Sequence, residues 1–225
     1  MRIDDPQSVD EASPAAPRGG GALGPALVVA VAVAIFAFLL WRVAPPAAPD
    51  FGDAVHYLAV PLDVPELELV DHTGAPFTLE DLRGRWSLLF FGYTYCPDIC
   101  PVTLQSLVPV QALLGEADAT RIVFVSVDPA RDDVARMAEY VAFFDPAYVG
   151  VTGHADQITV LTHAVGAYNA ARPAEPGAEG YLVDHASSLF LVGPEAKLEA
   201  ILHEPKDAAE FVALLRRIRE TERAS

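Results

Sequence analysis

WSLLFFGYTYCPDICP, residues 86–101, contains the clearest strand signal of the chain and both of its cysteines. The almost continuous apolar run at its start is typical of a strand that is buried on both faces of a sheet. After the cysteines, residues 102–114 repeat apolar side chains at helical spacing. The segment therefore predicts a buried strand, a short loop that carries Cys96 and Cys100, and a helix. Pro101 disfavours the helical conformation at Cys100, so we expect the helix to begin near Pro101.

The rest of the chain alternates between strand and helix patterns. Hairpins are predicted at 67–79 and 188–202, strands at 122–127 and 149–151, and helices at 133–144, 155–168 and 207–219. Asp132 is expected to cap the first of these helices, and the Pro, Gly and Ala content of residues 172–180 predicts a mobile loop. This order predicts an α/β fold, a central mixed sheet flanked by helices, and it fits the thioredoxin-like fold with extra hairpins. In that fold, reactive cysteines lie where a central strand ends and the next helix begins.

The N-terminal part of the chain predicts a membrane anchor. Residues 22–41 carry no charge, and a run of about 20 such residues is enough to cross a bilayer as a helix. We expect a disordered cytoplasmic tail at 1–21, a transmembrane anchor at 22–41, a linker at 42–59 and a folded domain at 60–220. A cleaved signal peptide is the alternative, but its apolar core would be shorter, about 7–15 residues.

The distribution of arginine predicts the orientation of this single-pass protein. Arg2 and Arg18 precede the anchor and Arg42 follows it, and acidic residues count little in the positive-inside rule. The N-terminus is therefore expected in the cytoplasm and the folded domain on the extracytoplasmic face. Thiols on that face of the membrane tend to oxidise, so a pair of free thiols there must be protected or must have a chemical function.

The chain of 225 residues is acidic, with a formal net charge of −16 at pH 7. Binding of DNA or RNA requires clustered lysine and arginine side chains that neutralise phosphates. The charge balance therefore argues against a nucleic-acid partner, and it is expected for a solvated acidic surface.

Cys96 and Cys100 are the only cysteines of the chain, and their close spacing indicates that they act as one unit. The start of a helix favours negative charge, which promotes thiolate formation. Thiolates form redox pairs and bind soft metal ions, and the spacing does not decide between these uses. A purely structural disulfide would close only a small loop and add little stability. An iron–sulfur cluster is excluded because it requires four cysteines, and a closed zinc site usually takes four protein ligands.

His185 is the candidate third ligand among the histidines. It precedes the predicted strand at 188–192, and in a thioredoxin-like fold the loop before that strand lies opposite the cysteines. Thioredoxins and peroxiredoxins usually carry a cis-proline there, whereas residues 182–192 contain no proline. Two thiolates and one imidazole make an open three-coordinate site, which suits copper that is bound and then handed on. Asp98 and Asp184 are candidates to orient His185 or to supply an oxygen to Cu(II).

Three motifs occur together in this chain: FFGYTYCPDICP at 90–101, VDPARD at 127–132 and VDH at 183–185. In this order and at these separations they resemble the Sco/SenC family, whose members are membrane-anchored copper-binding factors in the assembly of cytochrome c oxidase. The resemblance covers roughly residues 60–220. It implies that Cys96, Cys100 and His185 bind copper, as Cu(I), Cu(II) or both.

The resemblance implies a metallochaperone, and not an enzyme. Such a protein delivers copper to the CuA site of cytochrome c oxidase subunit II. The resemblance also implies two further partners, a copper donor protein and a thiol reductant. The alternative is a thiol–disulfide oxidoreductase that uses Cys96 and Cys100 to keep the cysteines of the acceptor reduced. A peroxidase is disfavoured because Pro97 follows Cys96, unlike the arrangement around a peroxidatic cysteine.

Asp128 and Arg131 belong to the second motif, which follows the buried strand predicted at 122–127. They are candidates to shape the copper-binding loop. A turn that leads into a helix cap explains the same residues without any function.

Overall fold

A computed structural model of the protein describes residues 23–43, 51–52, 55–115, 120–167, 169–173, 181–185 and 188–224. The chain divides into an N-terminal unit, Met1–Pro46, and a folded unit, Ala47–Ser225. The N-terminal unit contains helix α1 (Leu23–Val43). Within the described ranges, no helix is long and apolar enough to cross a membrane. The anchor at 22–41 therefore stays a prediction.

The described part of the folded unit consists of strands and helices around a mixed sheet. The strands are β1 (Val55–Asp63), β2 (Leu69–Asp71), β3 (Pro76–Phe77), β4 (Ser87–Gly92), β5 (Arg121–Ser126), β6 (Val149–Gly153), β7 (Asn169–Pro173), β8 (Tyr181–His185), β9 (Leu189–Val192) and β10 (Lys197–Leu202). The helices are α2 (Ile99–Leu114), α3 (Val134–Phe144), α4 (Ala155–Val165) and α5 (Ala208–Ala224), with a short 3-10 helix at Leu79–Leu82. Eight strands form one sheet in the order β1-β10-β9-β4-β5-β6-β2-β3, and β7 and β8 form a separate pair.

Strand β4 lies at the centre of the sheet, parallel to β5 and antiparallel to β9. Its side chains alternate between the two faces. Leu88 and Phe90 pack with side chains of α2, α3 and α5, whereas Leu89 and Phe91 pack with side chains of α4 on the other face. The predicted three-layer α/β arrangement, with this strand buried on both faces, is confirmed.

Two elements differ from the sequence-based expectation. Strand β1 begins inside the segment that was predicted as a linker, and it pairs with β10. Strands β7 and β8 pair on either side of the predicted loop at 172–180, of which 174–180 lie outside the described residues. The sequence of β7, NAARP, lacks the alternating apolar pattern that marks a half-buried strand, so only backbone pairing reveals it.

Glu199 on β10 is a buried carboxyl group, 5% exposed, whose pKa predicts a change of stability with pH. Burial first, and then the charge of Glu222 on α5, raises its pKa from the ordinary value of 4.5 to about 7. Between these two values the unfolded chain releases the proton while the folded chain keeps it, so the free energy of unfolding falls as the pH rises through this window. The substitution Glu199→Gln is expected to raise the free energy of unfolding at pH 8 by about 2 kcal/mol, measured by urea denaturation.

Glu195 offers a matched control on the same hairpin. Its exposed side chain pairs with Lys197 at 3.3 Å. Substitution of this residue by glutamine is expected to change the free energy of unfolding by less than about 0.5 kcal/mol. The same pH dependence in the wild type and in Glu199→Gln would contradict the assignment.

Candidate metal centre

The two cysteines lie in the turn that leads from β4 into α2. The Cys96 N–H donates a hydrogen bond to the Tyr93 carbonyl oxygen at 3.1 Å, which closes the turn. The Cys100 N–H donates to the Cys96 Sγ atom at 3.5 Å. No disulfide joins Cys96 and Cys100. The sulfur of Cys96 therefore occupies the position of a capping acceptor at the start of the helix.

Helix α2 begins at Ile99, near the predicted start at Pro101, but it already includes Cys100, which was expected to lie in the loop. A proline is tolerated in the first turn of a helix, because the first N–H groups have no partner within the helix. A proline disfavours the helical conformation of the residue before it. Cys100 is nevertheless helical. Cys96 lies in the turn before the helix, and the hydrogen bond from the Cys100 N–H to the Cys96 Sγ atom at 3.5 Å shows that the two cysteines are close.

The two thiols differ in their access to solvent. Cys100 is fully buried, whereas Cys96 is 9% exposed and lies between the exposed residues Tyr95 and Pro97. The pKa of the Cys100 thiol is raised well above its usual range, first by its hydrogen bond with Cys96 and then by burial. Binding of one metal ion to both sulfurs must displace this proton, so we expect metal affinity to fall with falling pH.

Gly92 is the residue of β4 over which the Cys100 thiol packs. A Cβ atom at this position would lie 2.6 Å from the Cys100 Sγ atom and 2.6 Å from the Phe124 Cε2 atom. Neither distance is compatible with a real side chain, because protein interiors are close-packed. The absence of a side chain at residue 92 therefore sets where the thiol lies.

The substitution Gly92→Ala is expected to lower both stability and metal affinity. Overpacking of this kind costs about 1–3 kcal/mol in the free energy of unfolding, measured by urea denaturation. Because the added methyl group displaces the Cys100 sulfur, copper affinity in a chelator competition should also fall.

Gly150 on β6 provides the control for this experiment. A Cβ atom there would meet Val141 Cγ1 at 3.1 Å and Met137 Cε at 3.2 Å. Gly150→Ala should therefore destabilise the fold while it leaves copper affinity unchanged. Equal copper affinities of the two alanine variants would contradict the role given to Gly92.

Asp132 is a site residue whose role sequence reasoning missed. It was expected to cap α3, but Asp133 is the cap and accepts a hydrogen bond from the Arg136 N–H at 2.8 Å. Asp132 is fully buried and its carboxylate accepts from the Thr94 N–H at 3.0 Å, from the Thr94 hydroxyl at 2.7 Å and from the Ser126 hydroxyl at 2.6 Å. It thus ties the start of the cysteine turn to the end of β5. The sequence signal for this role is the pair of consecutive aspartates, Asp132 and Asp133. Only one of them can cap α3, so the other is available for a different contact.

Asp128 and Arg131 act on the cysteine turn through its aromatic side chains. Asp128 is buried and pairs with the Arg131 Nε atom. The Arg131 guanidinium lies over the ring of Tyr93 at 5.6 Å and over the ring of Tyr95 at 5.1 Å. Cation–π contacts of this kind hold the residues that immediately precede Cys96. Arg131 therefore contacts the cysteine turn through both rings, and a role of the pair in shaping the copper-binding loop stays a prediction.

The remaining predicted residues lie in two different surroundings. Asp98 is exposed and is the N-cap residue that precedes α2, without a side-chain capping hydrogen bond. Asp184 and His185 end strand β8, where His185 pairs with Asn169, and their side chains lie outside the described part of the structure. Among the described side chains, no group of three or more His, Cys, Asp or Glu residues forms a metal site. The ligand role of His185 therefore stays a prediction.

Comparisons with known proteins place this geometry in a family context. The SCO1/SenC family model matches residues 62–220. The mitochondrial SCO2 homolog of Mus musculus is 38% identical over 155 residues, which cover 68% of this chain and 60% of the mouse protein. A candidate copper-binding protein of Stutzerimonas stutzeri is 35% identical over 181 residues, which cover 76% of this chain and 85% of that protein.

A solved structure shares both fold and sequence similarity with this chain. The crystal structure of Arabidopsis thaliana ScoI with copper bound superposes with a TM-score of 0.65 at 30% identity. The superposition covers 70% of this chain and 98% of the plant protein. The folded unit of this chain therefore has the architecture of a copper-bound relative.

Proposed function

The chain belongs to the SCO1/SenC family, and from this membership and the geometry of its cysteines we propose that it is a membrane-anchored copper metallochaperone. It would deliver copper to the CuA site of cytochrome c oxidase subunit II during oxidase assembly. The observation that carries the proposal is the turn at Cys96 and Cys100, in which the Cys100 N–H donates to the Cys96 Sγ atom at 3.5 Å and no disulfide joins the two residues. The copper-bound plant relative and the copper-related name of the bacterial relative support it.

The proposed ligands are the thiolates of Cys96 and Cys100 and the imidazole of His185. Thiolates select Cu(I), and imidazole suits copper in either oxidation state, so this donor set fits Cu(I), Cu(II) or both. The residues around the cysteines hold the site: Asp132 fixes Thr94, and Arg131 holds the rings of Tyr93 and Tyr95.

Transfer of copper would proceed by exchange of ligands. Three protein ligands leave an open coordination position, through which a thiolate of the acceptor can enter before the donor ligands leave. Cys96 is the more accessible of the two cysteines, whereas Cys100 is fully buried. We therefore infer that the acceptor approaches on the side of Cys96 and that the bond to Cys100 is the last to break.

The proposal includes the location of the protein. The apolar residues 22–41 would anchor the chain in the lipid bilayer, with the N-terminus in the cytoplasm and the folded domain on the extracytoplasmic face. A copper donor protein and a thiol reductant on the same face would supply the metal ion and keep the two cysteines reduced.

A second candidate function is thiol–disulfide exchange with the same acceptor. It is favoured by the proximity of the two cysteines, which are not joined by a disulfide, since the Cys100 N–H donates to the Cys96 sulfur. In this reaction the two thiols would lose two electrons and two protons to a disulfide of the acceptor, and Cys96 and Cys100 would become joined by a disulfide. The same residues can serve both functions in turn.

The test is a transfer experiment with the full chain purified in detergent. Because the CuA centre holds two copper ions in a mixed-valence state, equal amounts of the Cu(I)-loaded and the Cu(II)-loaded chain are mixed at two loaded chains per reduced, copper-free CuA domain of subunit II. We expect the absorption spectrum of the CuA centre to appear, and a variant with Cys100→Ser to produce none. In a parallel reaction with the oxidised CuA domain, reduction of its disulfide without any copper transfer would instead identify the chain as an oxidoreductase.

A further inference from the structure

Helix α2 exposes a face that carries no charged residue. A surface helix normally places charged or polar side chains on the side that meets solvent. The exposed residues of α2 are instead all uncharged: Val102, Gln105, Pro109, Ala112 and Leu113. Their spacing of three or four residues places them along one side of the helix. We call these five residues the uncharged face of α2.

The uncharged face contrasts with the rest of the chain. Charged residues make up 20% of the sequence, and the formal net charge is −16. Between Tyr95 and Leu114, however, Asp98 is the one charged residue. Val102 and Leu113 nevertheless lie in solvent, each of them 51% exposed. An exposed apolar surface in such a strongly charged chain indicates a contact with another molecule.

Tyr95 extends this surface at the cysteine turn. It is 53% exposed, and the guanidinium groups of Arg131 and Arg136 lie 5.1 Å and 5.2 Å from the centre of its ring. Both guanidinium groups are themselves held, because Arg131 pairs with Asp128 and the Arg136 Nε atom donates to the Thr94 hydroxyl at 3.1 Å. An exposed aromatic side chain that is already held loses little conformational freedom on binding, so Tyr95 is suited to anchor a protein partner.

The position of these residues indicates which molecule covers them. Val102 lies in the first turn of α2 and Tyr95 immediately precedes Cys96, so a molecule that contacts both lies beside the proposed copper ligands. A permanent occupant, such as a second copy of the chain, would block access to Cys96 and thus prevent transfer. A partner that binds for the transfer and then leaves fits this position. A charged side chain of that partner opposite the face would lose its hydration without gaining a counter-charge.

We propose that the copper acceptor docks on Tyr95 and the uncharged face of α2 through an apolar surface beside its own copper-binding cysteines. The inference rests on the proposed metallochaperone function and adds the contact surface and the chemistry of the partner's side. Asp98 is the one charge at the edge of this contact, and it lies at the N-terminus of α2, where a helix favours negative charge. Docking therefore depends on apolar contact and little on the net charge of the chain.

A charge placed on the uncharged face tests the proposal. The full chain in detergent is loaded with Cu(I) and mixed with an increasing excess of an affinity-tagged, reduced, copper-free CuA domain of subunit II. The copper captured with that domain is measured over time. For Val102→Asp, the acceptor concentration that gives the half-maximal transfer rate should rise at least about tenfold, because docking would desolvate the new carboxylate. The maximal rate should change less than about threefold, since the substitution affects docking and not ligand exchange.

Val160 on α4 supplies the matched control. It is 48% exposed, close to the value of Val102, and α4 packs on the other face of the sheet. The substitution Val160→Asp adds the same charge to the chain. It should leave the half-maximal acceptor concentration within about twofold of the wild type, because an exposed substitution far from the contact has little effect.

The outcomes separate this inference from the proposed function. If the wild type transfers copper and Val102→Asp needs no more acceptor than Val160→Asp, the inference is wrong and the proposed function stands. If the wild type transfers no copper, both are wrong. A wild type that sediments as a dimer, with Val102→Asp as a monomer, would show that a second copy covers the face and would also contradict the inference. A higher acceptor requirement of Val102→Asp alone, in a monomeric chain, supports it.

Discussion

The substitution His185→Ala is expected to weaken copper binding by more than about 100-fold. Loss of groups that merely orient a metal ligand costs about 10–100-fold in affinity, and loss of a ligand itself should cost more. The imidazole is one of the three proposed ligands, and two thiolates alone would leave the copper ion underligated. The affinity is measured for the full chain by anaerobic competition with a chelator of known strength.

His185→Ala should leave the redox behaviour of the cysteines intact. The reduction potential of the Cys96–Cys100 couple is expected to stay within about 30 mV of the wild type, which corresponds to a tenfold change in equilibrium constant. His163, an exposed residue of α4, provides a control histidine whose substitution by alanine should have no effect on copper affinity. Equal copper affinities of His185→Ala and His163→Ala would remove His185 from the ligand set.

The substitution Asp132→Ala is expected to have the largest effect on stability, about 3 kcal/mol or more. The buried carboxylate accepts three hydrogen bonds, two from Thr94 and one from Ser126. Its removal would leave these three buried donors without their acceptor. Because Thr94 lies two residues before Cys96, the turn should also lose its position, and copper affinity should fall together with the free energy of unfolding measured in urea.

The neighbouring residue Asp133 gives a control of the same type. It is exposed and caps α3, so Asp133→Ala should cost about 1 kcal/mol, the usual value for a lost helix cap. Copper affinity should be unchanged in that variant. If the two alanine variants proved equally stable and bound copper equally well, the role assigned to the buried carboxylate of Asp132 would be wrong.

The central strand β4 and the hairpin of β2 and β3 were predictable, because each sequence pattern is compatible with only one local structure. The apolar run that became β4 has no polar face, so it requires packing on both sides, and the structure provides this with α2, α3 and α5 on one face and α4 on the other. The turn residues Asp71 to Gly74 likewise predicted the hairpin of β2 and β3. Strand β7 escaped prediction because backbone pairing can form a strand without an apolar pattern.

The position of the candidate site in the fold was predictable from the sequence, whereas its geometry was less so. Two cysteines at close spacing, in a chain without any others, indicate a pair that acts together. Their position after a buried strand predicts that the pair lies at the end of a central strand of the sheet. Helix α2 includes Cys100 although the following proline disfavours the helical conformation there, and Pro101 itself lies in the first turn of the helix, where its missing N–H costs no hydrogen bond. The network around Asp132 brings together residues 38 positions apart, and no local pattern of residues encodes that contact.

X-ray absorption at the copper edge of the loaded full chain tests the central claim most directly, because it identifies the atoms bound to the metal. We predict two sulfur scatterers and one nitrogen scatterer, with the nitrogen lost in His185→Ala and one sulfur lost in Cys100→Ser. A copper ion bound only by oxygen and nitrogen atoms, with a spectrum that neither substitution changes, would contradict a copper site built on Cys96, Cys100 and His185.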